Sequence, residues 1–295
     1  MDQLAVAPAK GHETEKTLVV GIGAHKAGTT WLYAYFHNHP QVMVSPIKEL
    51  HFFDAETLPD LCGQHARRKL EYLKKIAASL TIEKIRAQPA VLTKLDALVD
   101  RLGMAADDSV YLRYFLSRTG NEKVMCEITP AYSLLARDGF RRIANAHSSV
   151  KFIFLLRNPI DRFWSHIRYH GRKTPNGDPV AAVRQHLHDP CYVLRTDYKR
   201  TLTELFAVVD RSLIHLDFYE DLFRDDAIRR LCSFLAIDFV RGDYGSRANV
   251  APERKLPLEQ RKVIFPAFAD VYAYVSDLYS GAIPESWKRD IAILS

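Results

Sequence analysis

Cysteine is scarce and scattered. Cys62, Cys126, Cys191 and Cys232 are the four present, with no Cys-x-x-Cys pair, which argues against a zinc ribbon and against a disulfide-stapled small domain. Long apolar runs are missing as well. Phe152 to Leu156 is among the longest, far short of the roughly 20 residues that a membrane-spanning helix needs. Met1 to Lys16 carries no apolar stretch of signal-peptide length. Neither sign of charge dominates: 41 Lys and Arg face 35 Asp and Glu, a formal charge of +6. That excess favours anionic ligands and is too mild to point to nucleic acid. Together these absences predict a soluble, cytoplasmic chain in a reducing compartment, with no transmembrane segment.

What is present is ordinary globular composition, 295 residues with 47% hydrophobic and 26% charged, enough for one large core. Short apolar runs, Leu18 to Ile22, Val42 to Val44, Val124 to Ile128, Val150 to Leu156 and Leu213 to Phe218, alternate with helical patterns. That alternation predicts a single α/β domain over 17–295 behind a tail of 1–16, with a central parallel sheet of about five strands flanked by helices. Between Asp54 and Asp108 two amphipathic stripes, Ala66, Leu70, Leu73, Ala77 and Leu80, then Leu92, Leu95, Val99 and Leu102, predict a helical insertion over about 55–108. Its basic residues, Arg67, Arg68, Lys69, Lys74, Lys75, Lys84 and Arg86, read as a solvated face, with a binding patch as the alternative. Ile264, Phe268, Val271, Val275 and Leu278 mark a C-terminal helix bent or broken at Pro266.

The first strand runs into Gly23-Ala24-His25-Lys26-Ala27-Gly28-Thr29-Thr30 and then Trp31, the start of a helix. Backbone N–H groups and the helix N-terminus can converge there on an anion, a P-loop-like cradle. The spacing of Gly23 and Gly28 suits a nucleotide triphosphatase, yet Thr29 stands where that class has lysine, and the lysine sits inside the loop as Lys26. The bland reading is a glycine turn capped by threonines. Farther on, a buried-looking strand ends in Arg157-Asn158-Pro159. Asn158 suits an N-cap and Pro159 a first helical position, so Arg157 emerges at the carboxyl edge of the sheet, where open α/β folds bind ligands. Ser165 follows two turns into that helix.

The loop Lys26 to Thr30, with Leu155-Leu-Arg-Asn-Pro-Ile-Asp-Arg-Phe-Trp-Ser165, resembles the two nucleotide motifs of the sulfotransferases that depend on 3′-phosphoadenosine 5′-phosphosulfate (PAPS). The resemblance implies that Lys26 and the amides around Ala27, Gly28, Thr29, Thr30 and Trp31 hold the 5′-phosphosulfate, and that Arg157 and Ser165 hold the 3′-phosphate. It implies Tyr219, in the strand ending Tyr219-Glu220-Asp221, beside the adenine, and Arg247, within 245–250, over the 3′-phosphate. No metal is required.

The segment Lys48-Glu49-Leu50-His51-Phe52-Phe53-Asp54 resembles its counterpart in carbohydrate sulfotransferases of the heparan sulfate type, which implies Glu49 as general base and His51 as its orienting partner or the alternative base. If the segment stays extended, Glu49, His51 and Phe53 face one way and Leu50, Phe52 and Asp54 the other. Glu127 and Tyr132, in a stretch resembling another segment of those enzymes, are expected to line the acceptor pocket. Ile128 replaces the lysine that meets an anionic sugar chain in them. A small molecule, a glycolipid or a carbohydrate all remain as acceptors. Two other readings stand beside this one: a P-loop kinase or nucleotide hydrolase with Leu213 to Asp217 as its acidic strand, and a non-catalytic nucleotide-binding protein on the same scaffold.

Overall fold

Five runs of aliphatic and β-branched residues form a parallel sheet. A computed structural model of the chain describes residues 16–55, 65–104, 107–171, 181–245 and 256–294. β1 (Thr17–Gly23) leads into α1 (Thr29–His37) and β2 (Val42–Val44). Four helices follow: α2 (His65–Ala78), α3 (Ile82–Ala87), α4 (Ala90–Gly103) and α5 (Asp108–Leu116). Then come β3 (Val124–Ile128), a 3₁₀ turn at Pro130–Leu134, α6 (Arg137–Ala144), β4 (Val150–Leu156) and α7 (Pro159–Gly171). Short helices α8 (Ala182–His186) and α9 (Pro190–Val193) precede α10 (Tyr198–Phe206) and β5 (Ile214–Phe218). α11 (Asp225–Leu235), α12 (Leu258–Ile264), α13 (Ala269–Leu278) and α14 (Glu285–Leu294) complete the chain.

The strand order is β2-β3-β1-β4-β5, all parallel. β1 is central, and Leu18, Val19 and Val20 are fully buried in it, as expected for a strand covered on both faces. From β1 the chain builds outward on one side to β2 and β3, then crosses to β4 and β5 on the other. That reversal makes the crevice at the carboxyl ends of β1 and β4 the topological switch point, where such folds bind ligands.

The five strands lie where the apolar runs predict, β5 starting one residue later. The C-terminal helix is interrupted at Pro266 by a 3₁₀ turn, Phe265–Phe268, between α12 and α13. Asn158 caps α7, its Oδ1 accepting from the Asp161 N–H at 3.1 Å. The stripes between β2 and β3 differ from expectation. In α4 the buried face is Ala97, Leu98 and Arg101, while Val99 is 58% exposed; in α2, Leu70 is exposed and Leu73 and Ile76 pack on the core. The phase was misread because an arginine belongs to the inner face.

Arg101 has a job there. Its Nε donates to the Leu50 carbonyl at 2.6 Å and its Nη2 to the His51 carbonyl at 2.5 Å, so α4 holds the segment after β2 by its backbone. Replacing Arg101 with Met keeps an apolar stem and leaves two buried carbonyls without donors. The variant should lose about 1–3 kcal/mol of folding stability in urea denaturation; an unchanged midpoint would contradict this role.

Candidate active site

The loop after β1 is held by left-handed backbone. Gly28 has φ +85°, and Lys26 adopts φ +72°. A Cβ on Gly28 would lie 2.8 Å from Leu222 Cδ2 and 3.1 Å from Tyr219 Cδ2, so the loop passes directly under the turn that follows β5. Thr29 and Thr30 open α1, which points their N–H groups into the mouth of the loop. Lys26 places its ammonium 4.3 Å from the centre of the Tyr169 ring.

Arg157, at the end of β4, closes the other side. Its Nη1 donates to the Lys26 carbonyl at 2.8 Å, and its guanidinium lies 4.4 Å from the Tyr219 ring centre. Tyr198 Oη donates to the Arg157 carbonyl at 2.8 Å. Lys26, Gly28, Arg157 and Tyr219 are thus brought together, from three separate segments. Ser165 lies half-buried on α7. A cavity of about 370 Å³ opens beside Arg157, with Trp164, Arg168 and Arg289 on its walls. Neither Arg168 nor Arg289 stands out in the sequence as a site residue, although Arg168 lies three residues past Ser165. Trp31 is turned inward, 6% exposed, with its Nε1 donating to the Asp243 carbonyl at 2.8 Å. Arg247 lies outside the described residues.

The segment after β2 is not extended. Glu49 has φ +62° and His51 φ +53°, and the expected alternation of faces fails for that reason. Leu50, Phe52, Phe53 and Asp54 are all buried, whereas the Glu49 side chain keeps 32% exposure. His51 Nδ1 sits 2.7 Å from Asp54 Oδ2 and His51 Nε2 sits 3.6 Å from Glu49 Oε2. The result is a carboxylate, imidazole, carboxylate row. Asp54 was missed as a functional residue; the signal was an acid three residues past the histidine, hidden by the assumption of extended backbone. Lys48 Nζ donates to Thr30 Oγ1 at 2.6 Å and lies 3.5 Å from Glu49 Oε1. It ties this segment to the loop after β1.

Electrostatics follow from the row. Burial works against a charged Glu49, but the His51 contact and the charge of Lys48 outweigh it and hold the carboxyl well below the usual range. Burial likewise works against a charged His51, yet the Asp54 hydrogen bond and the Glu49 contact outweigh it and raise its pKa. His25, inside the loop, is pushed the other way by burial and by the Arg195 charge, which keeps it neutral.

Glu127 and Tyr132 are both fully buried and support the segment from beneath. Tyr132 Oη accepts from the Phe52 N–H at 3.0 Å and donates to Glu127. They do not reach the cavity beside Glu49, whose walls come from the segment after β2 and from α2 and α4. The expectation that they line the acceptor pocket gives way to a supporting role. On β5, Asp217 pairs with Arg230 at 2.9 Å and accepts from the Phe218 N–H, an arrangement that turns it away from phosphate or magnesium chemistry.

A family model described as the sulfotransferase family matches residues 19–241. The chain belongs to the sulfotransferase family. Among solved structures it is similar to a sulfotransferase from Alicyclobacillus acidocaldarius, with a TM-score of 0.62 and 20% identity over 92% of this chain and 99% of that one. It is also similar to the sulfotransferase domain from the curacin biosynthetic pathway, with a TM-score of 0.50 and 16% identity over 78% and 79% of the two chains. At such identities the likeness speaks for the fold. A search of curated proteins found no match.

For this sulfotransferase the loop after β1 sets a local test. Gly28→Ala introduces both a strained φ and a clash with Leu222, and should cost about 1–3 kcal/mol. Gly103→Ala, at the end of α4 with nothing within 4 Å of the added methyl, should be neutral or stabilising. Equal effects of the two in chemical denaturation would contradict the strained-loop account.

Proposed function

We propose that this chain moves the sulfuryl group of PAPS to an acceptor hydroxyl by in-line transfer, with Glu49 as general base. One observation carries the reading. Of the five non-glycine residues with positive φ among the described residues, three are Lys26, Glu49 and His51, and backbone strain of this kind concentrates where side chains must be aimed for chemistry. All three belong to the two segments that Lys48 and Thr30 join.

In this reading Lys26 and the amides at the start of α1 take the 5′-phosphosulfate, and Arg157, with Ser165, takes the 3′-phosphate. The donor chemistry fits the residues present: a left-handed glycine, a helix N-terminus and an arginine fork face one crevice, and a nucleotide bisphosphate offers anions to each. As the acceptor oxygen attacks sulfur, its proton passes to Glu49. The bond between sulfur and the bridging phosphate oxygen breaks, Lys26 neutralises the charge that develops on the phosphate, and adenosine 3′,5′-bisphosphate leaves. His51, held by Asp54, orients Glu49. The kinase reading is disfavoured by Thr29 in place of the usual lysine and by the Asp217–Arg230 pair.

Glu49→Gln should retain stabilisation by adenosine 3′,5′-bisphosphate and lose roughly 10²–10⁴ in turnover when transfer from labelled PAPS is followed. Full turnover would remove Glu49 from the role. The same outcome would favour His51 as base.

The row of charges also fixes a pH dependence. His51 is protonated below its raised pKa, and its charge then makes Glu49 a poor proton acceptor. Raising the pH through that pKa removes the charge and strengthens the base, so kcat/KM should climb through a midpoint above the ordinary imidazole value of 6.5. Asp54→Asn removes one of the groups that raise the His51 pKa, and should move the midpoint downward. A midpoint that does not move in Asp54→Asn would sink this assignment of the limb.

A further inference from the structure

A second cavity, of about 290 Å³, lies beside Glu49 and His51, and its far wall is built by α2 and α4. Its volume is at the lower end for ligand pockets, which suits an acceptor of about one ring rather than a polymer laid across the surface. The wall is cationic. Lys48, Arg68, Lys69 and Lys94 all line it, and Glu49 is the one carboxylate among the lining residues. Apolar surface comes from Tyr72 and Leu98.

The basic residues of α2 divide between two faces. Arg67 pairs with Glu71 at 3.1 Å with both side chains well exposed, which is the behaviour of a solvated face. Arg68, Lys69 and Tyr72 turn to the cavity, the spacing that places side chains on one side of a helix. Lys94 crosses from α4 to within 5.1 Å of the Tyr72 ring centre. Lys69 is half-buried, and no hydrogen bond or ion pair of its side chain is found among the described residues. Burial and the Arg101 charge outweigh the pull of Asp54, Glu49 and Glu127 and lower its pKa to about 8. A half-buried ammonium with no direct partner among the described residues is a poor arrangement for stability and a good one for holding an anion.

We propose that this cavity binds a small acceptor which carries, besides the hydroxyl that faces Glu49, an anionic group held by Lys69 together with Arg68 and Lys94. The inference rests on the sulfotransferase reading above and narrows its acceptor. Carboxylate, phosphate and sulfate share the chemistry the wall asks for. The anion lies on the α2 and α4 side, away from Glu49, so it does not compete with the acceptor hydroxyl for the base. Discrimination against neutral and cationic analogues follows from the same wall, since a cation there would meet like charge.

The test uses the full chain loaded with adenosine 3′,5′-bisphosphate and matched probes. Dissociation constants are measured by calorimetry for 4-hydroxyphenylacetate, 4-ethylphenol and tyramine, and for glucose 6-phosphate, glucuronate and glucose. Within each set the anionic member should bind about tenfold tighter or more than the neutral one, and tyramine should bind most weakly of the phenols. Lys69→Met should abolish the preference while retaining stabilisation by the bisphosphate, which serves as the control for folding. The phosphate and carboxylate sugars separate the two sources of anion. Equal binding of neutral and anionic members, or a preference that survives in both Lys69→Met and the Arg68→Met/Lys94→Met double variant, would overturn the proposal. If the bisphosphate itself fails to stabilise the protein, the underlying reading falls, and this inference with it.

Discussion

A single buried carboxylate organises the segment after β2 in this sulfotransferase. Glu127, on β3, has no exposed surface and accepts hydrogen bonds from the hydroxyls of Tyr111 at 2.6 Å, Thr129 at 2.8 Å and Tyr132 at 3.2 and 3.3 Å. Burial raises its pKa against the opposing effect of these donors. An isolated carboxyl in such a place would be strongly unfavourable, and it is tolerated because its oxygens are filled. The partners then transmit the order. Tyr111 stacks on Phe52 and meets Phe53 edge-on, each at 4.8 Å between ring centres, while Tyr132 takes up the Phe52 N–H. Two adjacent aromatic residues are thereby pinned, and the strained backbone just before them is pinned with them.

That constraint explains how Glu49 and His51 hold φ values that ordinary residues avoid. Strain at two positions costs on the order of 1–3 kcal/mol each and persists only when neighbouring groups leave no alternative. The Glu127 cluster acts from the sheet and Arg101 acts from α4, gripping the carbonyls of Leu50 and His51. Lys48 acts from the side, joined to Thr30 at the start of α1. The helices between β2 and β3 are therefore more than an added cover. They fasten the segment that bears the candidate base, and they supply the cationic wall opposite it.

Much of the scaffold was legible in the sequence because it depends on local rules. A parallel strand buried on both faces writes itself as an apolar run, and all five were visible, from the run at Leu18 to the one ending at Phe218. Asn158 and Pro159 announced the start of α7, and Pro266 announced the break near the C-terminus. What escaped depends on tertiary contact. Arg101 looks polar in a periodic pattern, so the inner face of α4 was assigned to the wrong residues. Asp54 was placed opposite His51 because extended backbone was assumed, and nothing local to residues 45–54 signals two left-handed residues without glycine. Glu127 and Tyr132 carry the motif of a pocket, yet the space they would line is filled by Phe52 and Phe53. The family resemblance pointed to segments that lie far apart in the chain, and the contacts that join them, such as Lys48 to Thr30 and Arg157 to Lys26, needed three dimensions.

The central claim is a metal-independent crevice for a nucleotide bisphosphate, with the Lys26 loop on one side and Arg157 on the other. Calorimetric titration with adenosine 3′,5′-bisphosphate in the absence of magnesium, on the native chain and on Arg157→Ala, measures it directly. The account predicts binding without the metal, weakened about tenfold or more when the guanidinium is removed. No binding of the bisphosphate, with magnesium-dependent binding of ATP in its place, would contradict it.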